Sequence, residues 1–155
     1  MKVRIAVMSA VVAVAMTAPA FADRVDCTKE GADSLRCLRT EGWTETTGSE
    51  GDDRLLGTNG QNLIQGDGGD DYISTRGDDD WATGGDGNDR IYLGSGDDLA
   101  RPGLGRDIVK GGTGDDVIYA RDSERDTIDC GPGQDRAIVD KVDRVTNCER
   151  VKRSR

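Results

Sequence analysis

Between residues 48 and 119 the apolar positions of the chain hold one phase. Written in nines without a gap, this stretch reads GSEGDDRLL, GTNGQNLIQ, GDGGDDYIS, TRGDDDWAT, GGDGNDRIY, LGSGDDLAR, PGLGRDIVK and GGTGDDVIY. The eighth place is always aliphatic: Leu55, Ile64, Ile73, Ala82, Ile91, Ala100, Val109 and Ile118. The sixth place is Asp53, Asn62, Asp71, Asp80, Asp89, Asp98, Asp107 and Asp116, and the fourth is glycine except at Asp78. A Gly/Asp-rich linker would scatter its few aliphatic residues. A register kept over eight blocks marks a structural repeat instead of a low-complexity segment.

The residue types predict the elements. Six glycine-rich residues make a turn, because glycine takes positive φ without strain. The last three make a short strand whose eighth-place side chain points inward, with the seventh and ninth outward. Such a strand buries too little to stand alone, whereas many stacked in parallel form a continuous apolar column, a solenoid.

If two blocks complete a coil, residues eighteen apart superpose. One edge then stacks Asp53, Asp71, Asp89 and Asp107; the other stacks Asn62, Asp80, Asp98 and Asp116. Neighbouring strands lie about 4.8 Å apart, and two carboxylates at that spacing repel by roughly 3–4 kcal/mol at an effective dielectric near 20. Residues 48–119 carry 16 acids against 6 bases. Cations between successive turns would reverse the sign of that repulsion, and aspartate plus carbonyl oxygens suit Ca²⁺ better than Mg²⁺ or a soft metal.

The remainder of the chain adds compartment and ends. Residues 1–4 (MKVR), the apolar run IAVMSAVVAVAM and the Ala20-Phe21-Ala22 site predict a signal peptide over 1–22, cleaved near Ala22, and thus secretion. The mature chain carries a net charge of −11, which disfavours nucleic acid, and no later segment is apolar enough for membrane insertion. Four cysteines in an exported chain favour disulfides. Three connectivities exist. Local pairing, Cys27–Cys37 and Cys130–Cys148, is the most economical, and a zinc site is disfavoured by the lack of histidine and of any C-x-x-C. Cys130 and Cys148 are eighteen residues apart, one coil of the expected solenoid. Domain boundaries follow: an N-terminal cap over 23–47 with Cys27 and Cys37, repeats over 48–119, and irregular repeats with a C-terminal cap over 120–155.

The blocks resemble the GGxGxDxUx nonapeptide of hemolysin-type (RTX) calcium-binding repeats, with GGDGNDRIY the nearest match. The resemblance implies a right-handed parallel β-roll, all-β, holding several Ca²⁺ ions through sixth-place aspartates and backbone carbonyls. The metal-ligating residues would be Asp53, Asp71, Asp80, Asp89, Asp98, Asp107 and Asp116, with Asn62, Asp126 and Asp135 as weaker members. The favoured pairs are Asp71–Asp89, Asp89–Asp107, Asp80–Asp98 and Asp98–Asp116. An inserted residue near Arg125 puts the Asp107–Asp126 pairing in doubt. The tail resembles the closing segment of exported bacterial (actinobacterial-type) repeat proteins, and disulfide-bonded caps are expected at both ends.

The function expected first is a secreted calcium-binding module, folding on Ca²⁺, with a structural or interaction role. A second reading is a cell-surface adhesion or accessory module, using Tyr72, Trp81 and Tyr92 on a solenoid face to meet an extracellular protein or glycan. The rings equally suit covering the strands. A carboxylate-based hydrolase ranks below both. Without histidine there is no His-based triad, so the chain is not expected to be an enzyme.

Overall fold

The computed structural model describes residues 36–40 and 42–154. Among these residues the chain is all β, with no helix. Its strands are β1 (Arg36–Thr40), β2 (Trp43–Thr47), β3 (Arg54–Leu56), β4 (Asn62–Gly68), β5 (Tyr72–Gly77), β6 (Trp81–Asp86), β7 (Arg90–Ser95), β8 (Leu99–Leu104), β9 (Ile108–Thr113), β10 (Val117–Ala120), β11 (Thr127–Asp129), β12 (Arg136–Val139), β13 (Arg144–Thr146) and β14 (Arg150–Arg153). They form two sheets, ordered β1-β2-β4-β6-β8-β10-β12-β14 and β13-β11-β9-β7-β5-β3. Consecutive strands from β2 onward alternate between the sheets and every pair among them is parallel, so the chain winds as a parallel β-solenoid of about six turns. The register is eighteen through the repeats: Tyr72 pairs with Arg90, and Arg90 with Ile108.

The eighth-place aliphatics form the expected column. Leu55, Ile73, Ile91, Val109 and Ile128 face Ile64, Ala82, Ala100, Ile118 and Ala137, all fully buried. The strands differ from expectation in length. A three-residue strand occurs only at β3, β11 and β13; β5 to β9 run six residues, from the seventh place of one block to the third of the next. Alternation then sends a second residue inward on each strand, the first place of the following block. Thr75, Leu93 and Ala120 are buried there, as is Pro102.

Tight turns follow the two glycine places that need a left-handed backbone. From the third block onward the second and fourth places have positive φ, as at Gly85 (131°) and Gly87 (137°). Arg76 stands at a second place with φ 86°, and its side chain is exposed. Left-handed backbone costs a non-glycine residue roughly 1–2 kcal/mol, part of which glycine returns as chain entropy. Arg76→Gly is therefore expected to stabilise the calcium-loaded fold by about 1 kcal/mol and raise its melting temperature by a few degrees. Arg76→Ala, which keeps the strain, should give no such gain; equal melting curves for the two variants would remove this explanation.

The inserted residue near Arg125 does not break the stack. Thr127 pairs with Ile108 and Arg136 with Val117, a register of nineteen, so the extra residue is absorbed in the turn over 121–126, where Ser123 takes φ 79°. The doubt over Asp107 and Asp126 is thereby corrected. The Cys130–Cys148 disulfide is present, with Cα atoms 5.2 Å apart. The signal segment and the expected Cys27–Cys37 bridge lie outside the described residues. At the N-terminal end β2 already joins the solenoid, pairing Thr44 with Asn62, and β1 folds antiparallel onto it. At the other end the edge strands are β13 and β14, and on β14 Arg150, Lys152 and Arg153 are exposed. Positive charge on an edge strand opposes pairing with another chain.

The outward faces carry ring-and-cation ladders. Arg54 lies over Tyr72, Tyr72 stacks against Tyr92 with centroids 5.3 Å apart, and Lys110 lies over Tyr92. On the other sheet Arg101 sits between Trp81 and Tyr119. These pairs cover the strand backbones and draw cations from the chain itself.

Candidate metal centre

Each sixth-place aspartate precedes a strand at a solenoid edge, and the parallel register sets it above its counterpart one coil away. The backbone N–H of Asp71 donates to Asp89 Oδ1 at 2.8 Å, that of Asp89 to Asp107 Oδ1 at 2.8 Å, and that of Asp107 to Asp126 Oδ1 at 2.9 Å. Asp53 N–H starts this edge by donating to Asp71 Oδ1. The second edge repeats the pattern from Asn62 through Asp80, Asp98 and Asp116 to Asp135. Both stacks expected from the period are therefore formed. They end at residues that the period of nine did not flag. Asp143 Oδ1 accepts from Asp126 N–H, and Glu149 Oε2 from Asp135 N–H.

A carboxylate has two oxygens, and this ladder uses one. The Oδ2 atoms of Asp71, Asp80, Asp89, Asp98, Asp107, Asp116, Asp126 and Asp135 are buried and have no hydrogen-bond partner. An unpaired polar atom out of water costs about 1–3 kcal/mol, and more when charged. Burial pushes the carboxyls of Asp71, Asp98, Asp107 and Asp116 up to about 7 and that of Asp126 to about 6. It also raises those of Asp80, Asp89 and Asp135. Neighbouring acids add to the rise: for Asp71 these are Asp89, Asp53 and Asp52.

The orphaned oxygens border a specific space. A Cβ added to Gly66 would collide with Asp71 Oδ2 and the Gly84 carbonyl; one on Gly84, with Asp89 Oδ2 and the Pro102 carbonyl; one on Gly111, with Asp116 Oδ2 and the Cys130 carbonyl. Each such cradle brings a carboxylate oxygen next to a main-chain oxygen of the following coil. Among the described residues no three acidic or cysteine side chains converge on one point. A cation here would take one or two carboxylates and complete its shell from the backbone, a mixed oxygen set that fits Ca²⁺. Asp53 and Asn62 differ from the rest. Asp53 Oδ2 accepts from Ser49 N–H and Oγ, and the Asn62 amide donates to the Gly60 and Thr75 carbonyls.

A second ladder escaped the sequence reading. At the fifth place, Asp52 accepts from Asp70 N–H, Asp70 from Asn88 N–H, and Asn88 from Arg106 N–H. Asp79, Asp97 and Asp115 do the same along the other edge, ending on Gln134 N–H. These bonds run opposite in direction to the sixth-place ladder and lie in solvent, so they fix coil spacing from outside. The fifth-place run of Asp, Asn and Gln was the available signal.

A family model for the RTX calcium-binding nonapeptide repeat (4 copies) matches residues 47–82, 70–100 and 101–137. No curated protein and no solved structure matches the chain.

Proposed function

The chain belongs to the RTX calcium-binding nonapeptide-repeat family, and from that premise we propose that it is a secreted β-roll that folds on Ca²⁺ and serves a structural or interaction role. The carrying observation is the eight buried Oδ2 atoms without partners, four along each edge. Bound Ca²⁺ would supply the positive charge these atoms lack. The residues assigned to hold it are Asp53, Asp71, Asp80, Asp89, Asp98, Asp107 and Asp116, with Asn62, Asp126 and Asp135 as weaker members; Ser49, which already serves Asp53 Oδ2, lowers the rank of Asp53.

Folding and metal binding are linked in this reading, because only the coiled state stacks one aspartate above the next. Export rests on the MKVR start, the apolar run and the Ala20-Phe21-Ala22 site, and it would deliver the chain to a medium where calcium is plentiful. No catalytic role is assigned; RTX β-roll repeats are typically non-catalytic. A second reading, docking of an extracellular protein or glycan on a sheet face, draws on the exposure of Trp81 and Tyr119, 38% each.

Limited proteolysis tests the first reading. Residues 48–150 should resist cleavage in calcium and be cut throughout the repeats in chelator or in magnesium alone. Equal protection in all three conditions would refute it.

A further inference from the structure

The first place of each block, inward-facing in the structure, is where the coils of this chain differ. At Gly48, Gly57, Gly66, Gly84 and Gly111 it carries no side chain, and beside the last three the orphaned Oδ2 of Asp71, Asp89 or Asp116 faces the carbonyl of the next coil across that space. At Thr75, Leu93, Pro102 and Ala120 the same backbone position bears a buried side chain.

Two positions show what replaces a cation. The wall carbonyl facing Gly57 is that of Thr75, and it accepts from Asn62 Nδ2. One coil on, the corresponding carbonyl is that of Leu93, and it accepts from Thr75 Oγ1 at 2.6 Å. In both cases a side-chain donor reaches an oxygen of the kind that borders the open cradles, where the Cys130 carbonyl accepts a backbone N–H, that of Gly112, instead. Leu93 fills its position with an apolar side chain, in the same buried cluster as the small Ala82 and Ala100. Cys130, at the first place before Asp135, is tied into the disulfide.

We infer that, wherever the sixth place is an aspartate whose Oδ2 is unserved, the first-place residue decides which coil junctions take calcium: those at Gly66–Asp71, Gly84–Asp89 and Gly111–Asp116 are open, whereas Thr75, Leu93, Pro102, Ala120 and Cys130 close theirs, and the Gly57 junction is closed by the sixth-place Asn62. The inference rests on the calcium reading and narrows it. A uniform repeat would load both edges equally. Here the early coils load along one edge, beside Asp71 and Asp89, and the opposite edge is held by the protein until Gly111. Asp53, whose Oδ2 is already served by Ser49, stays outside the set.

Equilibrium dialysis of the full chain at saturating calcium, with the fold followed by circular dichroism, reads the number of ions directly. The wild type is expected to hold three, one per open cradle. Thr75→Gly should raise this to four by freeing the space beside Asp80, and Thr75→Gly with Asp80→Asn should return it to three. Leu93→Gly should likewise add one ion, beside Asp98, and Gly84→Ala should remove one. A wild type with one ion for each of the eight orphaned oxygens would overturn the inference and leave the calcium reading standing. So would folded Thr75→Gly and Leu93→Gly proteins with the wild-type number. A wild type that takes up no calcium would overturn both. The wild-type count decides even if the glycine variants do not fold.

Discussion

Stripped of divalent cations, the solenoid is expected to be most structured at about pH 4 and to lose its β-sheet signal progressively as the pH rises from there through about 7. The eight sixth-place carboxyls from Asp71 to Asp135 are all raised from 3.8, and the values resolved lie at about 6 to about 7. Between 3.8 and those values the folded state keeps protons that the unfolded chain has released. The unfolded state therefore binds fewer protons, and stability falls as pH increases. The contribution is intact below about pH 4, where both states are protonated, and lost above about 7, where every buried carboxylate is charged. Desolvation is the leading cause for each group, so the effects act in the same direction and accumulate. Calcium inverts the trend, because the ion and the proton compete for one oxygen; its apparent affinity should drop as the pH falls from about 7 to about 4. Circular dichroism across this range in chelator reads the first effect. A metal-free chain with full β signal at pH 8 and less at pH 5 would reverse the sign and end this account of the ladder.

Ile91→Ala, measured in saturating calcium, is expected to cost about 3 kcal/mol, a large part of a typical domain's 5–15 kcal/mol. Ile91 is fully buried and pairs in register with Ile73 on one side and Val109 on the other. Opposite it on the other sheet stand only Ala82 and Ala100 at the eighth place, so little is at hand to fill the void. In a solenoid each coil touches only its neighbours, and weakening a central rung also uncouples the two halves. Leu104→Ala is the control. Its side chain is 56% exposed, and the change should stay within about 0.5 kcal/mol. Similar denaturation midpoints for the two variants would show that the eighth-place column does not hold the fold.

Much of this architecture was legible because its signals are side chains at a fixed phase. The aliphatic eighth place gave the column, the sixth-place aspartates gave two stacked edges, and the spacing of Cys130 and Cys148 gave the terminal disulfide. The inward first place was not legible for a physical reason. In the blocks nearest the consensus it is glycine, which has no side chain to reveal burial, and only Thr75, Leu93, Pro102 and Ala120 betray it. Strand length was missed for the same cause, since β5 to β9 extend through glycines that the sequence reading assigned to turns. The insertion near Arg125 looked disruptive because a period carries no measure of slack. The turn over 121–126 supplied that slack, and Asp107 still reaches Asp126. Asp143 and Glu149 lie seventeen and fourteen residues beyond the aspartates they serve, where no period of eighteen points.

The central claim is that cations between coils complete the aspartate ladders and thereby hold the solenoid together. Isothermal titration of calcium into the chelator-treated chain at pH 7.5, with circular dichroism on the same samples, tests it most directly. Binding of several ions per chain, with β-sheet signal rising in step and vanishing again on chelation, is the predicted result. A chain that shows full β-sheet signal before any calcium is added, and takes up no ions when it is, would contradict it.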